Sequence, residues 1–359
     1  MKRKIFTRLT AVLLILLSLT VSAFPSHADR GLPVLQGEVK ARLPELFDSP
    51  AETGTEVQKL QVGGDPFGVR LFTEGVLVVG VSDKNSPAAG AGIQKHDVIQ
   101  TANGEDVRTV EQLTHLIENS EGRAITLSFR RNGENKEATV TPVKDDNGKY
   151  RIGVWIRDNA AGIGTVTFLD PSTGAFGGLG HGICDTDTGE LLPLARGAVM
   201  DAEIYQIVRG TEGTPGELRG LLGSEKIGTI LKNSDKGVFG ILTKNDGGGE
   251  VMEIGSRDSV HAGAAILRCS LGEEGVRDYR IELSDVSREN KGTKCFAIHV
   301  TDPDLIAKTG GIIQGMSGSP ILQDGRLVGA VTHVLIGDPT RGYGIFLENM
   351  LTELSSVLS

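Results

Sequence analysis

Gly311-Ile312-Ile313-Gln314-Gly315-Met316-Ser317-Gly318-Ser319-Pro320 is an apolar pair running into a Gly-x-Ser-Gly-x-Pro turn. After a short turn at Asp324-Gly325, a second apolar run follows from Arg326 to Val334. Two apolar strands around a glycine-flanked serine are how a β-protein presents a nucleophile. The glycines let the backbone turn tightly, so that the hydroxyl and nearby N–H groups face one space. Gly315 and Ser317 are the natural N–H pair for an acyl oxyanion in a turn of this type. Alone, the pattern also describes a hairpin loop without chemistry, so the reading turns on whether the chain supplies a base.

Working outward, 359 residues exceed what one core usually supports, and two domains are expected. Glycine is abundant (49) and aromatics scarce (4%), with short Val/Ile/Leu runs between glycines, which favours β-structure over helix bundles. The net charge of −9 argues against nucleic acid as a partner. Three cysteines (Cys184, Cys269, Cys295) are an odd, sparse set, with Cys269–Cys295 the one disulfide pair considered. No Cys-x-x-Cys or Cys/His ligand spacing occurs, so neither a metal nor a cofactor is expected.

Lys2-Arg3-Lys4, an apolar run from Leu9 to Phe24 and Ser26-His27-Ala28 form an export leader over 1–28, cleaved or kept as an anchor. The basic residues place the remainder on the outer face. Residues 29–59 read as a linker with a short helix near Val39–Phe47, and they are the exposed substrate if the enzyme processes itself.

Residues 60–143 change pattern. "SPAAGAGIQKHDVIQTANGEDV" (86–107), an amphipathic helix from Val110 and a hairpin closed by Asn132-Gly133 together resemble a PDZ domain. PDZ domains bind extended peptides by strand addition. That resemblance makes Phe67, Gly68 and Val69 the carboxylate loop, with Leu71 on one groove wall and Leu113 and Ile117 on the other. The module is expected to gate the enzyme, so that deleting residues 60–143 changes timing or targeting more than hydrolysis of a short peptide.

From residue 144 to the end, short apolar strands separated by Gly, Asp and Asn recur, and no long helical period appears until Leu347–Val357. The length suffices for two small barrels with a site between them. A serine nucleophile needs a base. His299 and His333 alternate with apolar neighbours as structural strand residues do, and His261 opens a strand. His181 sits among glycines that permit close approach of another segment, and it ranks ahead of His333 as base. For the orienting carboxylate the residues leave Asp185, Asp187, Asp302 and Asp304 open.

The leader, the PDZ-like module, "AFGGLGHGICD" (175–185) and "VTDPDLIAKTGGIIQGMSGSPILQDGRLVGAVTHV" (300–334) together resemble the SpoIVB peptidase family of endospore-forming bacteria. The resemblance implies a mainly β chain: an N-terminal PDZ domain, then a chymotrypsin-like double β-barrel. It implies a serine endopeptidase with Ser317, His181 and Asp302 as its triad. Such enzymes cross the inner forespore membrane into the intermembrane space and process themselves. They then cleave a membrane-bound regulatory subunit that restrains an intramembrane metalloprotease, releasing late sigma-factor processing. The rival expectation is an exported PDZ scaffold with an inactive peptidase-like domain, and a PDZ-bearing quality-control protease is a third.

Overall fold

The computed structural model describes residues 58–358 apart from 84, 244–248 and 273. The leader, most of the linker and the helix expected near Val39–Phe47 lie outside the described residues.

The first half begins with β1 (Lys59–Val62) and the 16-residue β2 (Pro66–Val81). There follow α1 (Pro87–Gly90), β3 (Val98–Ala102), β4 (Glu105–Asp106), α2 (Val110–Asn119), β5 (Ile125–Arg131) and β6 (Glu134–Val140). Asn103-Gly104 and Asn132-Gly133 both take positive φ, the two-residue geometry whose twist matches antiparallel strands. α2 opens on a reciprocal cap between Thr109 and Gln112 and buries Leu113 and Ile117, one turn apart.

A small sheet of β7 (Val143–Lys144) and β8 (Tyr150–Arg151) leads into β9 (Val154–Leu169), β10 (Ala175–Gly178), β11 (Leu194–Val208), β12 (Glu217–Ser234), β13 (Gly237–Leu242) and β14 (Val251–Glu253). The last third carries β15 (Gly263–Ser270), β16 (Val276–Ser284), β17 (Phe296–Val300), α3 (Pro303–Thr309), β18 (Pro320–Gln323), β19 (Arg326–Leu335), β20 (Asp338–Phe346) and α4 (Leu347–Leu358).

Two rings result. Strands β15, β16, β17, β20, β19 and β18 form a closed barrel. The path β9-β10-β13-β12-β11-β2 is also closed, because β2 pairs back onto β9. Closure removes the unpaired edges that an open sheet would expose. Phe67, Val69, Leu71 and Phe176 fill the first ring with Val199 and Ile230. The second is filled by Phe296, Phe346, Leu267 and Ile345, with Leu347, Met350 and Leu351 of α4 packed on it. Each such fully buried side chain contributes roughly 1.5–3 kcal/mol.

The chain is therefore mainly β, with an N-terminal PDZ-type module followed by paired β-barrels. The module and the first barrel share a strand, however. Residues 66–73 of β2 are a stave of the first barrel, and residues 76–81 belong to the PDZ-type core with β3. A strand of this length spans about 50 Å, long enough to serve both layers.

Candidate active site

Helix α3 ends at Gly310, in the left-handed conformation (φ 81°), and the chain then enters the serine loop. Ile312 and Ile313 anchor that loop in the core. Two of its peptide planes are fixed from behind: the Gln314 carbonyl accepts from Leu218 N–H (2.8 Å), and the Met316 carbonyl from Ser319 N–H (3.0 Å). In a trans peptide the N–H points opposite to its carbonyl. The N–H groups of Gly315 and Ser317 are thus turned away from those anchors, and neither engages an acceptor among the described residues. Both residues are half-buried, whereas Ser319 is fully buried.

Strand β9 holds the same loop. Thr165 Oγ1 donates to the Gly315 carbonyl (2.9 Å), Thr165 N–H to the Ser317 carbonyl (3.1 Å), and Thr167 Oγ1 to the Gly318 carbonyl (2.7 Å). Gly318 lies at φ 90°, and a Cβ there would collide with the Thr165 carbonyl and the Leu179 backbone. Here the serine loop and the histidine loop touch backbone to backbone. The two threonines were not among the expected site residues, although their alternation in Thr165-Val166-Thr167 is the pattern of one strand face.

His181 follows β10 through Leu179 and Gly180, both at positive φ. A Cβ on Gly180 would press on Thr332 and Val331 of β19, so the glycine lets the two barrels' segments meet. Asn233 fastens the chain beyond the histidine, accepting from Ile183 N–H and donating to the Ile183 and Leu192 carbonyls. His181 Nδ1 lies 2.9 Å from the Gly182 carbonyl. A carbonyl can only accept, so Nδ1 carries the proton and Nε2 keeps its lone pair. Burial pushes the His181 pKa below the ordinary range, opposed in part by that hydrogen bond.

The His333 ring lies 5.7 Å from the His181 ring, tilted by 45°. Burial first, then His181 and Lys294, push its pKa down to about 4, and its Nδ1 is buried without a hydrogen-bond partner among the described residues. Ser317 Oγ donates to the Thr332 carbonyl at 3.3 Å, one residue before His333. The structure thus gathers Ser317, His181 and His333 around β19.

Among the described residues Asp302 makes no hydrogen bond to His181. Asp302 is the N-cap of α3, accepting from the Asp304, Leu305 and Arg280 N–H groups. Those contacts lower its pKa against the opposing effect of burial, which is the largest single influence. No carboxylate is among the groups that shift either histidine. Asp185 is also committed elsewhere, to the Asp187 and Thr188 N–H groups and to Arg157 at 3.0 Å. Asp187 pairs with Arg157, and Asp304 lies in the first turn of α3. His261 pairs with Asp324 at the surface. All three cysteines are free thiols.

The residues expected to line the peptide groove pack as follows. Residues 68–72 of β2 are paired on both edges, with β9 on one side and β11 on the other. Phe67, Val69 and Leu71 face the barrel core, and Gly68 packs under Leu222 and Met200. Leu113 and Ile117 face the module's own core with Ile99 and Leu127. The place beside β2 where a ligand strand would add is taken by β9, whose buried Asp158 accepts the Val110 N–H that opens α2 (2.7 Å).

The model of the SpoIVB peptidase S55 family matches residues 148–351, and a PDZ domain model matches residues 54–141. The chain belongs to the SpoIVB peptidase family. That family is described as a peptidase family. Among curated proteins, the probable protease eep of Enterococcus faecalis is 31% identical over 97 residues, which are 24% of this chain and 23% of that one. The chain thus spans under a quarter of that relative, and the likeness to it lies in the PDZ module. Among solved structures, the PDZ domain of the SdrC-like protein of Listeria monocytogenes matches at 20% identity and TM-score 0.22, over 23% of this chain and 87% of that one. The HtrA-type protease AlgW with a tripeptide matches at 15% identity and TM-score 0.34, over 55% of this chain and 56% of that one.

Proposed function

We propose that the peptidase works by acyl transfer from Ser317, with His181 as its base. As substrate enters, the hydroxyl leaves the Thr332 carbonyl and gives its proton to His181 Nε2 while Oγ bonds to the scissile carbonyl carbon. The oxyanion settles on Gly315 and Ser317 N–H. His181 then protonates the departing amine, and water, deprotonated by the same nitrogen, releases the acyl group. The Gly182 carbonyl takes the part usually given to a carboxylate, since it holds the tautomer and accepts from the imidazolium's Nδ1–H. What carries the reading is the pair of N–H groups aimed by anchors behind them, because donors fixed before reaction cost no reorganisation during it.

The finer role follows from the family resemblance. The enzyme is exported across the inner forespore membrane, cuts its own segment near residues 29–58, and cleaves a membrane-associated regulatory subunit to release an intramembrane metalloprotease. The PDZ-type module serves as a brace through β9 rather than as an open peptide receptor. Ser317→Ala should abolish self-cleavage and cleavage of added substrate, read on gels, with an unchanged melting temperature. Cleavage surviving in that variant would remove Ser317 from the reaction.

A further inference from the structure

Beside the serine loop lies a cavity of about 540 Å³ that the chemistry above does not use. Its lining includes Gly162 and Ile163 of β9, Tyr205 of β11, Arg219 of β12, and Gln314 and Gly315 of the serine loop. Gly315 supplies one of the two N–H groups that the proposed acyl transfer uses for the oxyanion, so on that reading the cavity adjoins the scissile bond. Ser317, His181 and His333 are not part of its lining. The loop enters it as a strand would: Gln314 bridges in parallel to Glu217 of β12.

We propose that this cavity is the subsite for the leaving-group side of the substrate, the residues that follow the cut bond in an extended peptide. The inference rests on the serine-peptidase reading and adds which substrate side chains are recognised. In this proposal the acyl half lies along β19 at Thr332–Val334, where Ser317 Oγ rests on the Thr332 carbonyl, and the amine half leaves past Gly315, over Gly162. Arg219 is already paired with Glu217 at 3.0 Å, so the walls offer no unmatched charge. Tyr205, 60% exposed, offers an accessible aromatic side chain. The chemistry fitted there is an uncharged, apolar or aromatic side chain.

Gly162 makes the idea testable. Its φ is ordinary and an added Cβ would meet nothing within 4 Å, so the fold accepts a side chain that the cavity cannot hold together with substrate. The full chain and its Gly162→Trp variant are given a random peptide mixture, with cut positions read by mass spectrometry. Both are also labelled with a fluorophosphonate, which needs no leaving-group subsite of peptide size. The wild type should favour uncharged apolar or aromatic residues just after the cut. The variant should cleave at least tenfold more slowly and lose that preference, with labelling within about twofold. Tyr205→Ala, at an exposed position, should weaken the aromatic preference without altering labelling, which keeps the test decisive if the tryptophan variant folds poorly. Equal rates and unchanged preferences in both variants would overturn the subsite. Absence of labelling in the wild type would instead count against the serine-peptidase reading.

Discussion

Thr165→Val removes one hydroxyl and nearly preserves shape, which makes it a direct probe of how β9 holds the serine loop. The side chain is buried in the barrel wall, and its Oγ1 has the Gly315 carbonyl as acceptor at 2.9 Å. Such a hydrogen bond contributes about 1 kcal/mol net, and a carbonyl left without its partner costs about 1–3 kcal/mol. The neighbouring anchor from Thr165 N–H to the Ser317 carbonyl survives, so the lower half of that range applies. A loss near 1.4 kcal/mol means a tenfold fall in the ratio of aligned to displaced loop, which lowers kcat/KM by up to that factor. The expected outcome is a fall in kcat/KM of up to about tenfold toward a 4-nitrophenyl ester, a similar fall in fluorophosphonate labelling rate, and a melting temperature lower by about 2–4 °C. A lowered melting temperature with unaltered kcat/KM would refute the reasoning, because the hydroxyl would then support the barrel and not the site.

Gly318→Ala places a Cβ at φ 90° against the Leu179 backbone and should cost at least about 3 kcal/mol, seen as a large fall in melting temperature with loss of labelling. Deleting residues 60–143 removes the β2 stave, so circular dichroism should show an unfolded peptidase and not an ungated one; a folded, active deletion protein would contradict the shared strand. Asp302→Ala should lower stability by about 1 kcal/mol through the lost α3 cap, and an unchanged denaturation midpoint would argue against that role. Because the His181 pKa lies below the ordinary histidine range, activity should rise with pH along a limb centred below about pH 6.5. His333, at about 4, adds a stability effect of defined sign. Between the ordinary histidine value of about 6.5 and its own, the unfolded chain binds the extra proton, so stability should decline as pH falls through that window.

Local chemistry was legible in the sequence where a short-range rule governs it. Asn103-Gly104, Asn132-Gly133 and Asp324-Gly325 all form the turns their residues require, each with positive φ at both positions. The glycines around His181 and Ser317 do permit a close approach, at Gly180 and Gly318. Long-range pairing was less legible. Phe67–Phe72 reads equally as the edge strand of a groove or as a barrel stave, since both bury alternate residues, and only its two partners β9 and β11 decide. β11 itself, with Gly, Ala and exposed polar positions along it, carries a weak alternation and was not read as a strand. Asp302 illustrates a different ambiguity. An aspartate before proline at a helix start is a cap by local rule, and the family resemblance gave it a second meaning that its contacts here do not express. The Gly182 carbonyl could not be anticipated, because a backbone group leaves no mark in the sequence.

Mapping a fluorophosphonate adduct by mass spectrometry, in the wild type and in His181→Ala, addresses the catalytic centre most directly. An activated hydroxyl predicts a single adduct on Ser317 that forms at least 100-fold more slowly without the imidazole. Adduct on a different serine, or on Ser317 at the same rate in both proteins, would contradict it.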